Sequence, residues 1–316
     1  MAETKTIATR LAFGQELARI GAREDIMAMD ADLSCSTMTS LFRDQYPERH
    51  INCGIAEGNM MATAAGLASC GKKVFAASFA MFATGRAYEQ IRNSIGYPEL
   101  NVVVVGSHSG VTVGEDGASH QCIEDVALMR AIPGMSVVSP ADATEARAAV
   151  RALAEYDKPA YLRLSRLAMP VLFDEKEYGE FEIGKGRILQ EGTDVTVIAA
   201  GLLLHEAVKA VEELTAQGVS VRFVDMATIK PIDAALVVES AKKTGAIVCV
   251  EEHSVIGGLG SAVADVLVRN CPVPMEIVGV KDKFGCSGKP AELLDLYELS
   301  APHIVARVRD VLARKK

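Results

Sequence analysis

Two stretches of this 316-residue sequence carry side chains whose types and spacing suit acid–base chemistry. The first is Gly106-Ser-His-Ser-Gly-Val-Thr-Val-Gly-Glu-Asp-Gly-Ala-Ser-His-Gln121, which holds two of the six histidines, His108 and His120, beside Glu115 and Asp116. Loops of this length and polarity are usually functional or disordered, and imidazole suits proton transfer near neutral pH. A lone histidine is more often structural; two beside two carboxylates favour catalysis. The second stretch is Ile51-Asn-Cys-Gly-Ile-Ala-Glu-Gly-Asn-Met60, where Glu57 opens a run of small residues with helical period. A glutamate there can be a plain helix-start acid, favoured by the macrodipole. It can also be a carboxylate held against an apolar surface and hydrogen-bonded to a cofactor nitrogen. Spacing alone leaves both readings open.

The elements that must position these groups are legible as periodicity. Apolar runs of strand length at 26–29, 51–53, 74–79, 102–105, 136–138 and 160–164 alternate with helical patterns at 9–20, 57–68, 83–95 and 143–156. The unbroken run Val102-Val-Val-Val105 predicts a central strand buried on both faces of a parallel sheet. A charged, aperiodic stretch from Asp174 reads as a surface linker. Alternation then resumes, with strands at 195–199, 220–224, 246–250 and 275–280 and helices from 203, from 233 and after 260. The fold class is therefore α/β: two domains, each a mostly parallel sheet flanked by helices, at 1–175 and 190–316 with a linker at 176–189. Ligands of open parallel sheets gather at the carboxyl ends of the strands. Asp30, Asp32, Glu57, Phe82 and the 108–120 segment each follow a predicted strand, which puts them on one rim of the first sheet.

Composition narrows the function class. With 49% apolar residues the chain can fill two cores, and its net charge of -8 argues against nucleic acid as a partner. The seven cysteines show no paired metal-ligand spacing, so no metal site is expected in this chain and the thiols are expected to be reduced. No apolar leader core opens the sequence, and no run of about 18 uncharged residues occurs. These features predict a cytoplasmic protein without a membrane span.

Val113-Gly-Glu-Asp-Gly-Ala-Ser-His-Gln121 resembles the GEDGPTHQ signature of transketolases, and Ile55-Ala-Glu57 resembles their cofactor-glutamate motif. Thr9-Arg10, Asp32 to Ser36, Phe79-Ala-Met-Phe82 and Leu164-Ser-Arg166 extend the likeness in order along the chain. The resemblance implies a transferase: thiamine-diphosphate-dependent movement of a two-carbon ketol unit from a ketose phosphate to an aldose phosphate. It covers the family's pyrimidine-binding and C-terminal domains only. The Gly-Asp-Gly motif with which the family holds Mg2+ and the diphosphate is not found here. A split enzyme is implied, completed by an N-terminal subunit that brings the metal and the diphosphate site, with two copies of each chain around a two-fold axis.

The same resemblance implies roles. Glu57 would hydrogen-bond the aminopyrimidine ring, Phe82 would stack on it and Phe79 would lie beside. His108 and His120 would contact the substrate near its carbonyl and phosphate, and Asp116 would read a hydroxyl. Arg10, Ser36 and Arg166 would grip the phosphate, for which the arginine fork is suited. Gly85 stands where the family often has a third aromatic. Two other readings compete: the beta subunit of a 2-oxo acid dehydrogenase, similar in length and domain order, and a catalytically silent binding subunit. The 113–121 motif and the phosphate-gripping residues favour transketolase over the first. Retention of Glu57, Asp116, both histidines and both arginines argues against the second. Glu251 to Gly260 reads as a tight turn and subunit contact, since it lacks a full dinucleotide fingerprint; His253 has no role assigned.

Overall fold

Val102 to Val105 are all fully buried, as a strand covered on both faces must be. They lie in the middle of the larger of two main sheets, in a computed structural model that describes residues 5–315. The strands are β1 (Thr6–Ala8), β2 (Ile26–Asp30), β3 (His50–Asn52), β4 (Lys73–Phe79), β5 (Val102–Ser107), β6 (Ser136–Val138), β7 (Ala160–Arg163) and β8 (Ala168–Pro170). They continue with β9 (Arg187–Gln190), β10 (Val195–Ala199), β11 (Val221–Asp225), β12 (Thr228–Lys230), β13 (Ile247–Ser254) and β14 (Met275–Val280). The larger sheet has the order β12-β6-β7-β5-β4-β2-β3 and is parallel except for β12. The smaller has the order β14-β13-β10-β11-β9 and is parallel except for β9.

Alternate residues of β5 feed different cores. Val103 and Val105 pack with Phe13 and Leu17 of helix Thr9–Ile20 and Leu153 of helix Ala143–Glu155. Val102 and Val104 pack with Met60, Met61 and Ala64 of helix Glu57–Ser69. The latter cluster runs on into the smaller sheet through Val224, Cys249 and Leu259, so the two sheets share one apolar core. The small side chains of helix Glu57–Ser69 suit this close approach to the sheet.

Three features depart from the periodicity. The helix expected at 83–95 is wound instead as two π-helical segments, Met81–Arg86 and Ile91–Gly96, around the short turn Tyr88–Gln90. Thr84 Oγ1 donates back to the Ala80 carbonyl at 2.7 Å, a bond that competes with the regular ladder. β1 and β8 form a separate antiparallel ribbon that no local pattern announces. β12, although it follows the strands of the smaller sheet, forms the edge of the larger one against β6. Lys230 of β12 donates to the carbonyls of Arg130 and Ile132, at 2.8 and 2.5 Å.

The junction between the halves is polar and buried. Arg163 Nε donates to Asp125 Oδ2 at 2.7 Å, its Nη2 to Asp125 Oδ1 at 3.2 Å and to the Glu252 carbonyl at 2.8 Å. Tyr161 adds a hydroxyl donor to Asp125 at 2.6 Å. Burial alone would raise the Asp125 carboxyl, but the charge and hydrogen bonds of Arg163 outweigh it and leave it below the ordinary value. The glycine-rich turn before helix Leu259–Asn270 has a structural task. Glu251 accepts from the Leu259 and Gly260 amides at 2.6 and 2.8 Å, satisfying the helix start, and a Cβ at Gly258 would lie 2.0 Å from its carboxylate. His253 Nε2 accepts from the Ala127 amide at 3.3 Å, which makes it a contact between the halves.

Arg163→Ala leaves Asp125 as an uncompensated buried charge and is expected to cost about 3–5 kcal/mol of stability. Guanidinium unfolding of the variant checks this; a loss no larger than that of an exposed arginine would contradict it.

Candidate functional site

Parallel pairing of β2, β3, β4, β5 and β7 delivers their carboxyl ends to one rim, and the chemical side chains sit there or just beyond. Asp30 closes β2, Phe79 closes β4, His108 follows β5, and Leu164-Ser165-Arg166 follows β7. Glu57 lies five residues past β3, at the first position of helix Glu57–Ser69.

Glu57 is 2% exposed, and its Oε2 has no hydrogen-bond partner. The nearest cation is Arg86, whose Nη1 stands at 3.5 Å, too long for a charge-assisted hydrogen bond. Arg86 is itself mostly exposed and lies over the Phe82 ring, 5.1 Å from its centroid. A buried acceptor left open costs about 1–3 kcal/mol, which a ligand N–H would recover. This unused oxygen is the feature that fits an aminopyrimidine ring.

Four rings gather at Phe82, the ring that Arg86 covers. Phe79 stacks on His108 at 3.9 Å between centroids and 25° between planes, and lies near-parallel to Phe82 at 6.0 Å. His120 meets Phe82 edge-on at 5.1 Å and 77°. The π-helical winding from Met81 places Phe82 in this cluster, and the position of the missing third aromatic is filled by Met81: a Cβ at Gly85 would lie 2.1 Å from Met81 Cε. His108 has a left-handed backbone, φ +56°, and its Nδ1 is 3.0 Å from Ser107 Oγ. Burial, then the charges of Arg10, Arg166 and His120, push its imidazole down to about 3. His108 is thus neutral at physiological pH, a hydrogen-bonding ring and not a stored proton.

Arg10 and Arg166 are brought side by side by the β1–β8 ribbon. Its register ends with Ala8 opposite Ala168, just short of both arginines, and the helix that starts at Thr9 carries Arg10 to within 3.4 Å of the Arg166 carbonyl. Thr9 Oγ1 pins the two segments, accepting from the Ser165 amide at 2.8 Å. Arg10 donates to the Ser36 carbonyl at 2.6 Å and to the Arg166 carbonyl at 3.4 Å; Arg166 donates to the Val113 carbonyl at 2.5 Å and to Glu115 at 3.3 Å. Burial and the neighbouring Arg166 both lower the Arg10 guanidinium from its ordinary value. Two cations this close repel, and an anion between them would relieve the repulsion. Ser36 joins this group through its carbonyl. Asp116 lies in an exposed turn and makes no hydrogen bond to the other site residues among the described residues.

The 106–121 loop is anchored by Gln121, whose Nε2 donates to the carbonyls of Val111, Gly114 and Cys286 at 3.1, 3.0 and 2.9 Å. Arg86 escaped the sequence reading, although its place four residues after Phe82 is a helical spacing that could have linked them. The buried contact of His50 Nε2 with Asp30 Oδ2, 2.8 Å, also escaped it, because no local pattern pairs the two strands. No group of three or more His, Cys, Asp or Glu that could hold a metal occurs among the described residues.

Two family descriptions match the chain: transketolase, pyrimidine binding domain, over residues 5–171, and transketolase, C-terminal domain, over residues 184–304. The chain belongs to the transketolase family. It is 47% identical over 308 residues to a transketolase C-terminal section of Methanocaldococcus jannaschii, covering 97% of this chain and 96% of the relative. It is 44% identical over 290 residues to a 6-deoxy-6-sulfo-D-fructose transketolase subunit of a Clostridium species, covering 92% and 89%. Among solved structures, a split-gene transketolase described as an inactive beta4 tetramer superposes with a TM-score of 0.90 at 50% identity, covering 98% of this chain and 99% of that one. The chain spans about half the length of the full-length transketolases it matches. It is therefore a transketolase subunit, a transferase of a thiamine-diphosphate-dependent family, and carries that family's pyrimidine-binding and C-terminal domains.

A depressed imidazole pKa has a definite linkage sign. Between pH 6.5 and about 3 the unfolded chain binds a proton at His108 that the folded chain refuses. Stability contributed by neutral His108 is thus complete above 6.5 and is lost as pH falls through that window. His108→Asn is expected to flatten this part of the stability-against-pH curve, measured by urea unfolding at several pH values; parallel curves would contradict it.

Proposed function

We propose that this chain supplies the pyrimidine-side half of a two-chain transketolase active site. The observation that carries the proposal is the open Oε2 of buried Glu57, approached by the same Arg86 that lies over the Phe82 ring. Glu57 would accept a hydrogen bond from a ring N–H of the aminopyrimidine of thiamine diphosphate and keep that proton on the ring nitrogen, which would leave the exocyclic nitrogen as the basic one. When bound, the cofactor supplies a nucleophilic carbon and an electron sink for the two-carbon ketol unit. Phe82 and Phe79 fix the plane of the ring. His108 and His120 hydrogen-bond the substrate oxygens near the reacting carbonyl, and neutral His108 does so without bringing a charge. Arg10 and Arg166, with Ser36, hold the anionic end of a sugar phosphate, and Asp116 reads a hydroxyl.

Mg2+ and the diphosphate belong to an N-terminal partner subunit in this reading, with an α2β2 assembly. The divided domain order supports it: residues 1–175 and 190–316, joined at 176–189, correspond to the later half of a full-length chain. The inactive beta4 state of the split-gene relative is consistent with a beta chain that needs its partner. A cytoplasmic location fits the seven unpaired thiols, and no helix among the described residues is long and apolar enough to cross a membrane.

Glu57→Gln keeps the shape of the side chain and removes its ability to share a proton. In the complex with the partner, cofactor and Mg2+, ketol transfer between sugar phosphates is expected to fall by at least about 100-fold with an unchanged unfolding curve. Near-wild-type turnover in that variant would sink the assignment.

A further inference from the structure

Glu252 belongs to the smaller sheet, near the end of β13, yet its carboxylate works on the loop that carries His108 and Asp116. It is 2% exposed; Oε1 accepts from the Thr112 amide at 2.6 Å, and Oε2 has no hydrogen-bond partner. Gly110 makes the contact possible. Its φ of +77° is left-handed, and a Cβ there would lie 2.3 Å from the Glu252 carboxyl carbon. A side chain at 110 would drive the carboxylate off the loop.

Thr112 is the middle residue of the 3-10 turn Val111–Val113. One end of that turn is close in sequence to His108. At the other end the Val113 carbonyl accepts from Arg166 at 2.5 Å. The carboxylate therefore holds the segment that links the ring cluster to the arginine pair. The charged groups facing it are Arg163 from β7, which donates to the Glu252 main-chain carbonyl at 2.8 Å, and Asp125 from helix Asp125–Ala131. An apolar residue would fill this interface without the cost of burying a carboxyl.

We propose that Glu252 is a positioning residue: the C-terminal domain, through the Glu252–Thr112 hydrogen bond, sets the Val111–Val113 turn and with it the placement of Arg166 against the anionic end of the substrate. The proposal rests on the reading of the site given above. Burial pushes the Glu252 carboxyl up to about 7, with Asp125 adding to the rise and Arg163 and the Thr112 amide opposing it. The carboxyl is then protonated below neutrality and ionised above it. An ionised acceptor binds the Thr112 N–H more strongly than a neutral one. The turn therefore tightens as pH rises through neutrality, and the grip on the substrate tightens with it.

Two variants test this, Glu252→Ala and Glu252→Gln. Hydrogen exchange followed by mass spectrometry on the full chain alone should show exchange over residues 110–116 speeding by about tenfold in Glu252→Ala, with most of the protection restored in Glu252→Gln. In the complex with partner, thiamine diphosphate and Mg2+, Glu252→Ala should raise KM for a phosphorylated sugar by about tenfold, with kcat and the cofactor KM within about twofold of wild type. Between about pH 6 and pH 8 the wild-type KM should fall as pH rises, while that of Glu252→Gln should be flat. Unchanged exchange over 110–116 in Glu252→Ala overturns the proposal, as does a rise spread evenly over the chain. If Glu252→Ala does not fold, the pH profile of Glu252→Gln decides: a KM that still follows the wild type overturns the positioning role. Should the wild-type complex transfer no ketol unit at all, the site reading fails while the exchange measurement still judges the Glu252 contact on its own.

Discussion

Parallel strand pairing is the constraint from which the site follows. Strands that run the same way end on the same side, and turns between sequential elements are short, so side chains placed just after β2, β3, β4, β5 and β7 converge whatever their distance in sequence. Buried on both faces, β5 fixes the middle of the rim. What stands on that rim is a carboxylate with an open oxygen, four stacked or edge-packed rings and two neighbouring arginines. Each is costly in isolation: an unpaired acceptor, a histidine in the left-handed region, like charges near enough to repel. Their concentration at one edge of one sheet marks a binding site more firmly than any single residue does.

The second domain is built into this site from below. β12 completes the larger sheet, one apolar cluster runs through both sheets, and Arg163 spans from Asp125 to the main chain of Glu252. The 106–121 loop is held by Gln121 against Cys286 and by Glu252 through Thr112. A loop so rich in glycine and acids has little apolar surface of its own to bury, and its shape is set by these outside contacts. The glycine turn at 257–260, read from sequence as a tight turn, lets Glu251 close the start of helix Leu259–Asn270 and receives Arg130 from the other half, and His253, which had no role assigned, meets the Ala127 amide across the joint.

The legible parts of the chain were those governed by local pattern. The all-valine run became the doubly buried strand, and helix Thr9–Ile20 begins and ends where its period does. The small-residue run after Glu57 became a helix because nothing in it opposes one. Features set by long-range pairing were not legible. The β1–β8 ribbon, which ends just short of Arg10 and Arg166, joins segments about 160 residues apart and leaves no periodic trace in either. β12 sits in the sheet of the other half, and no reading of neighbouring residues can reassign it. The π-helical stretch around Phe82 looks apolar and helical in sequence; Thr84 bonding back to Ala80 is what accompanies its altered winding. For the site, residue types and family motifs pointed to Glu57, Phe82 and the arginines. Arg86 over Phe82 and Glu252 under the loop came only from the fold.

The central claim is that this chain holds one half of a cofactor site, able to engage the pyrimidine and unable to retain the diphosphate. Calorimetric titration of thiamine diphosphate in the presence of Mg2+ tests it directly, with the chain alone and with the chain joined to a partner bearing the Gly-Asp-Gly motif. The account predicts saturable binding by the complex and binding at least about 100-fold weaker by the chain alone. Equal affinity in the two titrations would contradict it.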